Sequence, residues 1–466
     1  MDPNARILEC LRKYDDNITL KDKQFECLCN ILKGNDVICN LPVAYGKSLC
    51  YHLLPSLLNG LVLVVSPLNI IQKDQLSSLR TRGVSACKLT FSCNVDHVDG
   101  GEENEMDLKD YSLTDVIDGK YSVILCHPEA LFNTKSGQGL LRNNTFTSKV
   151  QCVVIDECHI VEKWGKEFRS SFASLHTLPA FFVGKPILGL SGTLTADLIK
   201  RIPSILGMSN PVFVQESPDR PNIFLNKVEK TTTVEVSKMY EKIFIDECDK
   251  LFSDKQSYPV TLMFIPMLYM SHAASYLRHL FGEEDIKTSC YSVVFSRQDA
   301  EVIATTLKDL KNENPRIRLV LTTSVSGMGF DPENVSHVIH TVPPRNLSQY
   351  LQEIGRAGRR GQNAQATLYH CARDLAKNLP GIQNDIIEYC KNKTECLRTL
   401  MLSKFGFEKS ETAYLCERSL RPKKDIDWKK LHFGEAMPIE KAQIKRATFA
   451  ETFEVERLIS RKISKK

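Results

Sequence analysis

Two acidic residues directly follow an aliphatic run in the first half of the chain. In the segment VVIDECHIVEKWGKEFR, Asp156 and Glu157 end a run of residues typical of a buried strand. A carboxylate pair at a strand tip is costly unless a cation, usually a metal ion or a metal–nucleotide complex, neutralises it. The alternative is a strand-ending turn whose carboxylates are solvated. The choice between them depends on whether the chain also carries a phosphate site.

A phosphate-binding loop is predicted upstream of the acidic pair. The strand-like run DVICNL leads into PVAYGKSLC, so that Gly46, Lys47 and Ser48 stand between a strand and a helix. In this layout backbone N–H groups at the helix start bind phosphates, the lysine reaches the terminal ones, and the serine is a ligand of Mg²⁺. Leu41 occupies the position where the full motif has its first glycine. The motif alone is therefore only moderately specific.

The phosphate loop gives the acidic pair a function. Asp156 is expected to hold the same Mg²⁺, and Glu157 is expected to polarise an attacking water molecule. In the second half of the chain, QEIGRAGRRG carries Arg356 and Arg359 three residues apart, on one face of a helix. Alone, these arginines fit a basic helix start equally well. Together with the loop and the acids, they indicate arginine fingers that reach a γ-phosphate across a cleft between two domains.

Short aliphatic runs alternate with helix-length segments along most of the chain. Runs such as LVLVVS and PILGLS precede residue 220, and runs such as IRLVLTTS and SHVIHTV follow it. Continuous apolar runs of this length are typical of parallel strands covered on both faces. We therefore divide the chain into an amino-terminal segment (1–26), a first α/β domain (27–216), a second α/β domain (217–383), a helical region (384–420) and a basic tail (421–466).

Length and composition agree with this division. A chain of 466 residues with 42% hydrophobic and 25% charged residues predicts a globular protein of more than one domain. No apolar stretch approaches the roughly 20 residues of a membrane span, and no signal peptide is visible, so we expect an intracellular protein without membrane contact. Most of the 16 cysteines stand singly in apolar runs, which predicts free buried thiols. The net charge of +5 comes from the last fifty residues, which suit a polyanionic partner or a solvated end.

The motifs resemble those of one enzyme family when they are taken together. Their order and spacing resemble those of RecQ-family DNA helicases of superfamily 2, Bloom-type members included, over about residues 17 to 416. Besides the segments quoted above, the matching motifs are VVSPLNIIQKDQ, CHPEAL, LSGTLT, TTSVSGMGFDPENV and YCKNKTECLRTLMLSKFGF. The resemblance implies two RecA-like doubly wound parallel-sheet domains in tandem, followed by a short, mostly helical, degenerate zinc-binding-like region. It also implies an ATP- and Mg²⁺-dependent 3′-to-5′ helicase that acts on single-stranded and forked DNA in repair, recombination or replication, as a nuclear monomer.

The resemblance assigns roles to individual residues by position. It places the ATP site at Lys21, Gln24, Gly46, Lys47, Ser48, Asp156, Glu157, His159, Asp331, Gln352, Arg356 and Arg359, with Ser48 and Asp156 holding Mg²⁺. It places DNA contacts at Ser66, Pro67, Trp164, Phe168, Arg169, Thr323 and Gly327, and the coupling of the two functions at Ser191, Gly192 and Thr193. Aromatic and guanidinium faces stack on unpaired bases regardless of sequence, which suits an enzyme that moves along any strand. The alternative for Trp164 is an ordinary core or interdomain aromatic residue.

The nucleotide site departs from the family pattern at several positions. Val43 and Ala44 replace the usual Thr and Gly of the phosphate loop, and Ala44 adds a Cβ where glycine normally relieves a tight turn. We expect slower hydrolysis but an intact site. Cys158 stands where the family usually has Ala, a small change that should be tolerated. Tyr14 is displaced by three residues from the usual position of the aromatic residue that stacks on adenine.

The zinc-binding region departs further. Cys396 and Cys416 match two of the family's four cysteine ligands, and Cys390 lies where relatives often have a cysteine that is not a ligand. A structural zinc site needs four nitrogen or sulfur ligands, and His432 is only a distant fourth. Zinc is therefore a possible cofactor, and its absence is the favoured interpretation.

Two other functions remain open at this point. The chain could be a DNA-binding clamp or translocase that uses ATP without unwinding, because the winged-helix wedge of longer relatives has no counterpart after Cys416. It could also be an RNA-directed enzyme of the same superfamily. Strand displacement on forked duplexes, and the comparison of DNA with RNA as activator, separate these functions.

Overall fold

Two parallel β-sheets organise the chain. The computed structural model describes residues 3–67, 69–90, 111–162, 170–231, 236–282, 285, 287–295, 298–323 and 332–408. One sheet has seven strands in the order β3-β4-β2-β5-β6-β1-β7, and the other has six in the order β10-β11-β9-β12-β13-β8. Every strand pair in both sheets is parallel. The predicted fold of two doubly wound α/β domains in tandem is therefore confirmed.

The first sheet and its helices come from the first half of the chain. Its strands are β1 (Val37–Asn40), β2 (Leu61–Val65), β3 (Ala86–Leu89), β4 (Val123–Cys126), β5 (Val150–Ile155), β6 (Ile187–Ser191) and β7 (Val212–Gln215). The described helices around it are α1 (Pro3–Tyr14), α2 (Asp22–Leu32), α3 (Ser48–Leu58), α4 (Asn69–Thr81), α5 (Leu113–Ile117), α6 (Pro128–Phe132), α7 (Lys135–Arg142), α8 (Asn144–Lys149), α9 (Ser170–Ala173), α10 (Leu178–Phe181) and α11 (Ala196–Leu206), with 3₁₀ turns at Cys158–Ile160 and Ser174–Thr177.

The second sheet follows the same plan. Its strands are β8 (Ile223–Glu229), β9 (Thr261–Phe264), β10 (Tyr291–Val294), β11 (Leu319–Thr322), β12 (His337–His340) and β13 (Ala364–His370). The described helices that accompany it are α12 (Val236–Asp254), α13 (Met267–Phe281), α14 (Ala300–Leu310), α15 (Leu347–Ile354), α16 (Asn384–Lys391) and α17 (Leu397–Lys404), with 3₁₀ turns at Lys255–Ser257 and Ala372–Leu375. None of the described helices is both long and apolar enough to cross a membrane.

Burial explains why the central strands are continuous aliphatic runs. Every residue of β1, β2, β4 and β6 is buried, because helices cover both faces of the first sheet. Two separate apolar clusters lie on its two faces: one contains Ile38 and Ile155, and the other contains Val37 and Val154. The second sheet is likewise packed between two clusters. Each domain therefore has a hydrophobic core of its own.

The strand order places three loops side by side. Strands β5, β6 and β1 are neighbours, and their registers pair Ile155 with Gly189 and Asn40 with Ser191. Since parallel strands end at the same edge of a sheet, the segments that follow these three strands meet at one edge. The phosphate loop follows β1, the acidic pair follows β5, and residues 192–194 follow β6. The fold thus assembles the candidate site.

Two cationic side chains attach the helical region to the second domain. The Lys227 ammonium donates to the carbonyl oxygens of Tyr389, Cys390 and Asn392 at 2.9, 2.7 and 2.6 Å, where α16 ends. The Arg398 guanidinium, at the start of α17, pairs with Asp219 and donates to the carbonyl of Ile223 at 2.6 Å. Both contacts join the two helices to β8 and the segment before it.

The two domains touch beside the carboxyl edge of the first sheet. Ser348 of α15 donates its hydroxyl hydrogen to the carbonyl oxygen of Thr193 at 3.0 Å. A Cβ added to Gly355 would lie 3.3 Å from Cβ of Val43, so the backbone after α15 passes directly over the phosphate loop. The second domain therefore covers the site built by the first.

The Arg398–Asp219 pair gives a stability prediction. Asp219→Ala should lower the free energy of unfolding by about 3 kcal/mol, because it leaves the Arg398 charge buried without its carboxylate. Urea denaturation monitored by circular dichroism measures the change. Glu333→Ala, which removes an acid that pairs with Arg360 at the surface, is the matched control and should cost less than about 0.5 kcal/mol. Equal losses in the two variants would contradict a structural role for the buried pair.

Candidate nucleotide site

The phosphate loop adopts a strained turn between β1 and α3. Gly46 has φ of +88° and Ala44 has φ of +64°, so both lie in the left-handed region that glycine tolerates and alanine disfavours. The Lys47 ammonium folds back onto the loop and donates to the carbonyl oxygens of Leu41 and Pro42 at 3.2 and 3.3 Å. The lysine is therefore held beside the space where phosphates would bind.

The acidic pair lies at the end of β5, as the sequence indicates. Glu157 has φ of +50°, and its backbone N–H donates to Asp156 Oδ1 at 3.0 Å. Burial and the neighbouring Glu157 charge raise the pKa of Asp156, whereas Lys47 opposes this shift. Burial also acts on Glu157, but the hydrogen bond from His159 and the charges of Lys47 and Arg356 outweigh it and lower the pKa of Glu157. The pair is a half-buried acidic site that a cation would stabilise.

A polar chain connects the acidic pair to the segment after β6. His159 Nδ1 lies 3.2 Å from Glu157 Oε2 and 3.0 Å from the buried hydroxyl oxygen of Ser191. That hydroxyl also accepts the backbone N–H of Thr193 at 3.2 Å. A Cβ added to Gly192 would lie 3.0 Å from the Lys47 ammonium, which accounts for the glycine at this position. The predicted coupling residues are thus connected to Glu157 through His159, lie beside Lys47 and contact the second domain through Thr193.

Arg356, one of the two predicted arginine fingers, lies at the boundary with the first domain. Arg356 follows α15, is only 7% exposed and interacts electrostatically with Glu157 of the first domain. Burial lowers the pKa of Arg356 to about 10, although Glu353 and Glu157 oppose the shift. Burial, with the charge of Arg220, lowers the pKa of Arg359 to about 10 as well. Gln352 lies half-buried on α15, immediately before them. Glu157 and Arg356 therefore face one another across the domain boundary.

Two residues that interact with the segment carrying Arg356 were not identified from the sequence. Arg220, in the segment between the two sheets, donates to the carbonyl oxygens of Gly355, Ala357 and Gly358 and so holds the backbone around Arg356. Glu353 is buried, accepts a hydrogen bond from Gln349 at 3.0 Å and lies 2.7 Å from His340 Nε2. The signal for Arg220 was the turn-rich stretch SPDRPN, which sequence reasoning treated only as a linker.

The predicted base-binding residues lie together at the start of α2. Gln24 is buried and bonds to the phosphate loop, and the Lys21 ammonium lies 4.4 Å from the centroid of the Tyr45 ring. Tyr14, the displaced aromatic residue, lies elsewhere. Its hydroxyl is 2.7 Å from Nδ1 of His52, and the Arg82 guanidinium covers its ring. The aromatic ring that the Lys21 ammonium covers is thus that of Tyr45, which sequence reasoning did not single out.

The predicted DNA contacts are only partly described. Ser66 and Pro67 are buried at the end of β2, and Thr323 is half-buried directly after β11. The remaining predicted residues of this group, Trp164, Phe168, Arg169 and Gly327, lie outside the described residues, as does Asp331 of the ATP site. The structure therefore gives positions for three of the predicted DNA-contacting residues, and those positions follow strands of the two sheets.

The oxygen ligands of the site suit Mg²⁺. Ser48 begins α3 and Asp156 ends β5, and a hydroxyl with a carboxylate is the oxygen donor set that Mg²⁺ binds together with phosphates. The buried charge of the acidic pair also calls for a cation. These two residues would hold the ion, as the sequence indicates.

Zinc is a different case. Cys396 is half-buried at the start of α17, Cys416 lies outside the described residues, and burial raises the pKa of Cys390 to about 12, so its thiol stays protonated. Among the residues that the structure describes, no group of three or more His, Cys, Asp or Glu side chains is placed to hold a metal. The described residues alone do not supply a zinc site.

Comparison with known proteins agrees with this architecture. The DEAD/DEAH box helicase family matches residues 21–202, and the helicase conserved C-terminal domain matches residues 243–361. The putative ATP-dependent DNA helicase Q1 of Caenorhabditis elegans is 26% identical over 400 residues, which cover 80% of this chain and 57% of that protein. The probable ATP-dependent DNA helicase RecS of Bacillus subtilis is 24% identical over 460 residues, which cover 96% and 85% of the two chains. The resemblance to RecQ-family helicases is therefore confirmed.

Solved structures share the fold. The helicase Lhr of Mycobacterium smegmatis, bound to single-stranded DNA and AMP-PNP, superposes with a TM-score of 0.56 at 20% identity, covering 80% of this chain and 48% of that one. The likeness shows the tandem arrangement of the two sheet domains.

The strain at Ala44 gives a second prediction. Ala44→Val should lower the free energy of unfolding by about 1–2 kcal/mol, because a β-branched side chain fits the left-handed region worse than alanine does. Ala44→Gly should raise it by about 0.5 kcal/mol, since relief of strain exceeds the added chain entropy of glycine. Chemical denaturation of the three proteins measures both changes. A Val variant as stable as the parent would show that the loop does not hold this conformation.

The Glu353 network gives a third prediction. Glu353→Ala should lower the free energy of unfolding by about 3 kcal/mol, because His340, Gln349 and the buried Arg356 all lose their nearby carboxylate. Glu353→Gln, which keeps one acceptor and the side-chain volume, should lose about half as much. The comparison uses denaturation in urea at neutral pH. Identical losses in the two variants would mean that volume, and not hydrogen bonding, explains the effect.

Proposed function

We propose that this chain is the motor core of an ATP-dependent DNA helicase of the RecQ type. It carries the two conserved domains of a helicase and resembles RecQ-family ATP-dependent DNA helicases. Its reaction is the hydrolysis of ATP in the cleft between the two domains. Its work is translocation along single-stranded DNA and the separation of duplex strands. Polarity from 3′ to 5′, roles in repair, recombination or replication, and a nuclear location are finer parts of the same proposal and rest on the resemblance.

One observation supports the proposal most strongly. Glu157 of the first domain, beside Asp156 and Lys47, interacts electrostatically with the buried Arg356 of the second domain. Cations and acids contributed by two separate domains suit a ligand that carries both phosphates and a metal ion. Because each domain supplies only part of the site, binding and release of that ligand would change the contact between the domains.

The chain's own groups have distinct tasks in hydrolysis. Lys47 would exchange its two backbone carbonyl partners for phosphate oxygens, a short movement of one flexible side chain. Ser48 and Asp156 would hold Mg²⁺, which neutralises phosphate charge when it is bound. Glu157, kept ionised by His159 and the nearby cations, is suited to orient a water molecule. Arg356, fixed by the surrounding backbone, would stabilise the charge that develops on the transferred phosphoryl group.

A continuous path could carry the state of the site to the second domain. Glu157 contacts His159, His159 contacts Ser191, and Ser191 holds Thr193, whose carbonyl receives the hydroxyl of Ser348. A change at the acidic pair would therefore alter a hydrogen bond that joins the two domains. Alternating contact between the domains, with DNA held on each in turn, gives directional movement.

The experiment that tests the proposal uses Lys47→Ala. DNA-stimulated ATP hydrolysis should fall by roughly 10²- to 10³-fold, because the variant lacks the cation that meets the phosphates. Strand displacement on a forked duplex should be lost with it. Lys308→Ala, which removes an exposed lysine of α14, is the matched control and should retain both activities.

The same assay separates the competing functions. The parent protein should displace strands from a duplex with a 3′ single-stranded tail and not from one with a 5′ tail. Hydrolysis without displacement on either substrate would favour the clamp or translocase. Stronger stimulation by RNA than by DNA would favour an RNA-directed enzyme. Undiminished hydrolysis by Lys47→Ala would show that the site has been assigned to the wrong residues.

A further inference from the structure

The loop that carries Arg356 is held by a side chain from the segment between the two sheets. Arg220 Nη1 donates to the carbonyl oxygen of Gly355 at 3.3 Å, and its Nη2 donates to those of Ala357 and Gly358 at 3.1 and 2.6 Å. Gly355 and Ala357 are the chain neighbours of Arg356. A shift of Arg220 would therefore move the backbone on both sides of Arg356.

A second side chain of the same segment adds to this contact. Asn222 Nδ2 donates to the carbonyl oxygens of Gly358 and Gln362, both at 2.8 Å. Gly358 has φ of +63°, and a Cβ added to it would overlap the Asn222 amide, so glycine is needed here for two reasons. Because the loop and the segment pack this closely, a displacement of the segment would displace the loop.

The segment is fixed in turn by a buried arginine of the helical region. Arg398, at the start of α17, is only 1% exposed. Its guanidinium pairs with Asp219 and donates to the carbonyl oxygens of Arg220 at 3.0 Å and Ile223 at 2.6 Å. A planar guanidinium that binds several acceptors fixes their relative positions more firmly than a single hydrogen bond does. The acceptors include Arg220 itself and residues on either side of it.

We propose that the helical region, through α17, is a positioning element for the arginine finger Arg356. Arg398 fixes the segment that contains Asp219 and Arg220, and Arg220 holds the loop that carries Arg356. The inference rests on the proposed function, because it takes Arg356 to meet a γ-phosphate. The contacts are made by arginine, aspartate and backbone groups, so this role of the helical region does not need a zinc ion.

A positioning role affects the chemical step more than the binding of the nucleotide. A finger that stabilises charge developing in the transition state raises kcat, and a displacement of about 1 Å can cost roughly 10²-fold in rate. The phosphate loop and Lys47 belong to the first domain and are not part of the contacts between Arg398 and Arg356. Changes along these contacts should therefore lower kcat and leave KM for ATP nearly unchanged.

The first measurement uses Arg220→Ala in the full chain with ATP, Mg²⁺ and saturating single-stranded DNA. We expect kcat to fall by roughly 10- to 10²-fold and KM for ATP to stay within about threefold of the parent value. Arg316→Ala is the matched control. It removes another half-buried arginine that donates to a backbone carbonyl, that of Ser289, but it precedes β11 at the amino end of the second sheet and should change neither constant. A higher KM with an unchanged kcat would show that Arg220 binds the nucleotide itself, and would overturn the inference.

The second measurement asks whether Arg220 acts through Arg356. In a protein that already carries Arg356→Ala, the further change Arg220→Ala should lower kcat by less than about threefold, because no finger remains at that position to be held. A merely structural role of Arg220 would lower kcat equally in both backgrounds. Recurrence of the full loss in the Arg356→Ala background would therefore contradict the positioning role.

The third measurement tests the contribution of the helical region. Arg398→Lys keeps the charge but cannot direct a planar fork at the same acceptors, so kcat should fall by roughly 3- to 10-fold with little change in KM. Lys227→Ala is the matched control, since it removes the contacts between β8 and the end of α16 and leaves those of Arg398 in place. It should keep kcat within about twofold of the parent value. Circular dichroism at the assay temperature checks that both variants are folded. A parental kcat in Arg398→Lys, or equal losses in the two variants, would overturn the inference.

The outcomes separate this inference from the proposed function. Hydrolysis by the parent protein, with kcat lowered in Arg220→Ala and Arg398→Lys and unchanged in the controls, supports both. Hydrolysis by the parent protein with parental kcat in Arg220→Ala and Arg398→Lys overturns the inference and leaves the proposed function intact. Failure of the parent protein to hydrolyse ATP overturns the two together.

Discussion

The rest of the structure has to compensate two neighbouring carboxylates at the end of β5. Asp156 and Glu157 are both half-buried, and negative charge that is partly removed from water is costly unless a cation compensates it. The charge of Lys47 acts on both from the neighbouring loop, and the charge of Arg356 acts on Glu157 from the other domain. The contact between the domains is therefore partly electrostatic, and any ligand that brings its own charge into the cleft must change it. Because the contact between the domains depends on the charge in the cleft, a reaction in the cleft can alter that contact.

Strand order, and not proximity in the sequence, brings the neighbouring groups to the two carboxylates. The acids, the phosphate loop and the coupling segment are far apart along the chain, yet they follow the adjacent strands β5, β1 and β6. The parallel arrangement aligns the ends of these strands, and the buried cores on both faces keep them in register. Flexible side chains such as Lys47 then need to move only a short distance. The sheet therefore fixes the relative positions of the segments that form the site.

Much of this arrangement could be predicted from the sequence, and the exceptions have physical causes. Strands such as β1, β2 and β5 are nearly continuous aliphatic runs, because helices bury both of their faces. Strands β3, β7 and β8 were not predicted: β7 and β8 lie at sheet edges where burial alternates, and β3 is a short edge strand that contains a lysine. Lys47 and Asp156 belong to local motifs and were found. Arg220 and Glu353 were not, since their partners are fixed only by tertiary contact.

Backbone strain shows how firmly the surroundings fix the site. The non-glycine residues with positive φ among the described residues are Ala44, Asn59, Glu157, Asn210 and Lys255. The two asparagines tolerate this conformation by their chemistry, but Ala44, Glu157 and Lys255 do not, and the first two of these belong to the site. Their strain persists only because β1, β5 and the helices that follow hold the chain on either side. The Glu157 carboxylate lies 3.2 Å from Nδ1 of His159, whereas the Asp156 carboxylate accepts the backbone N–H of Glu157. The same rigid frame that tolerates the strain therefore keeps two like charges in one cleft with different partners.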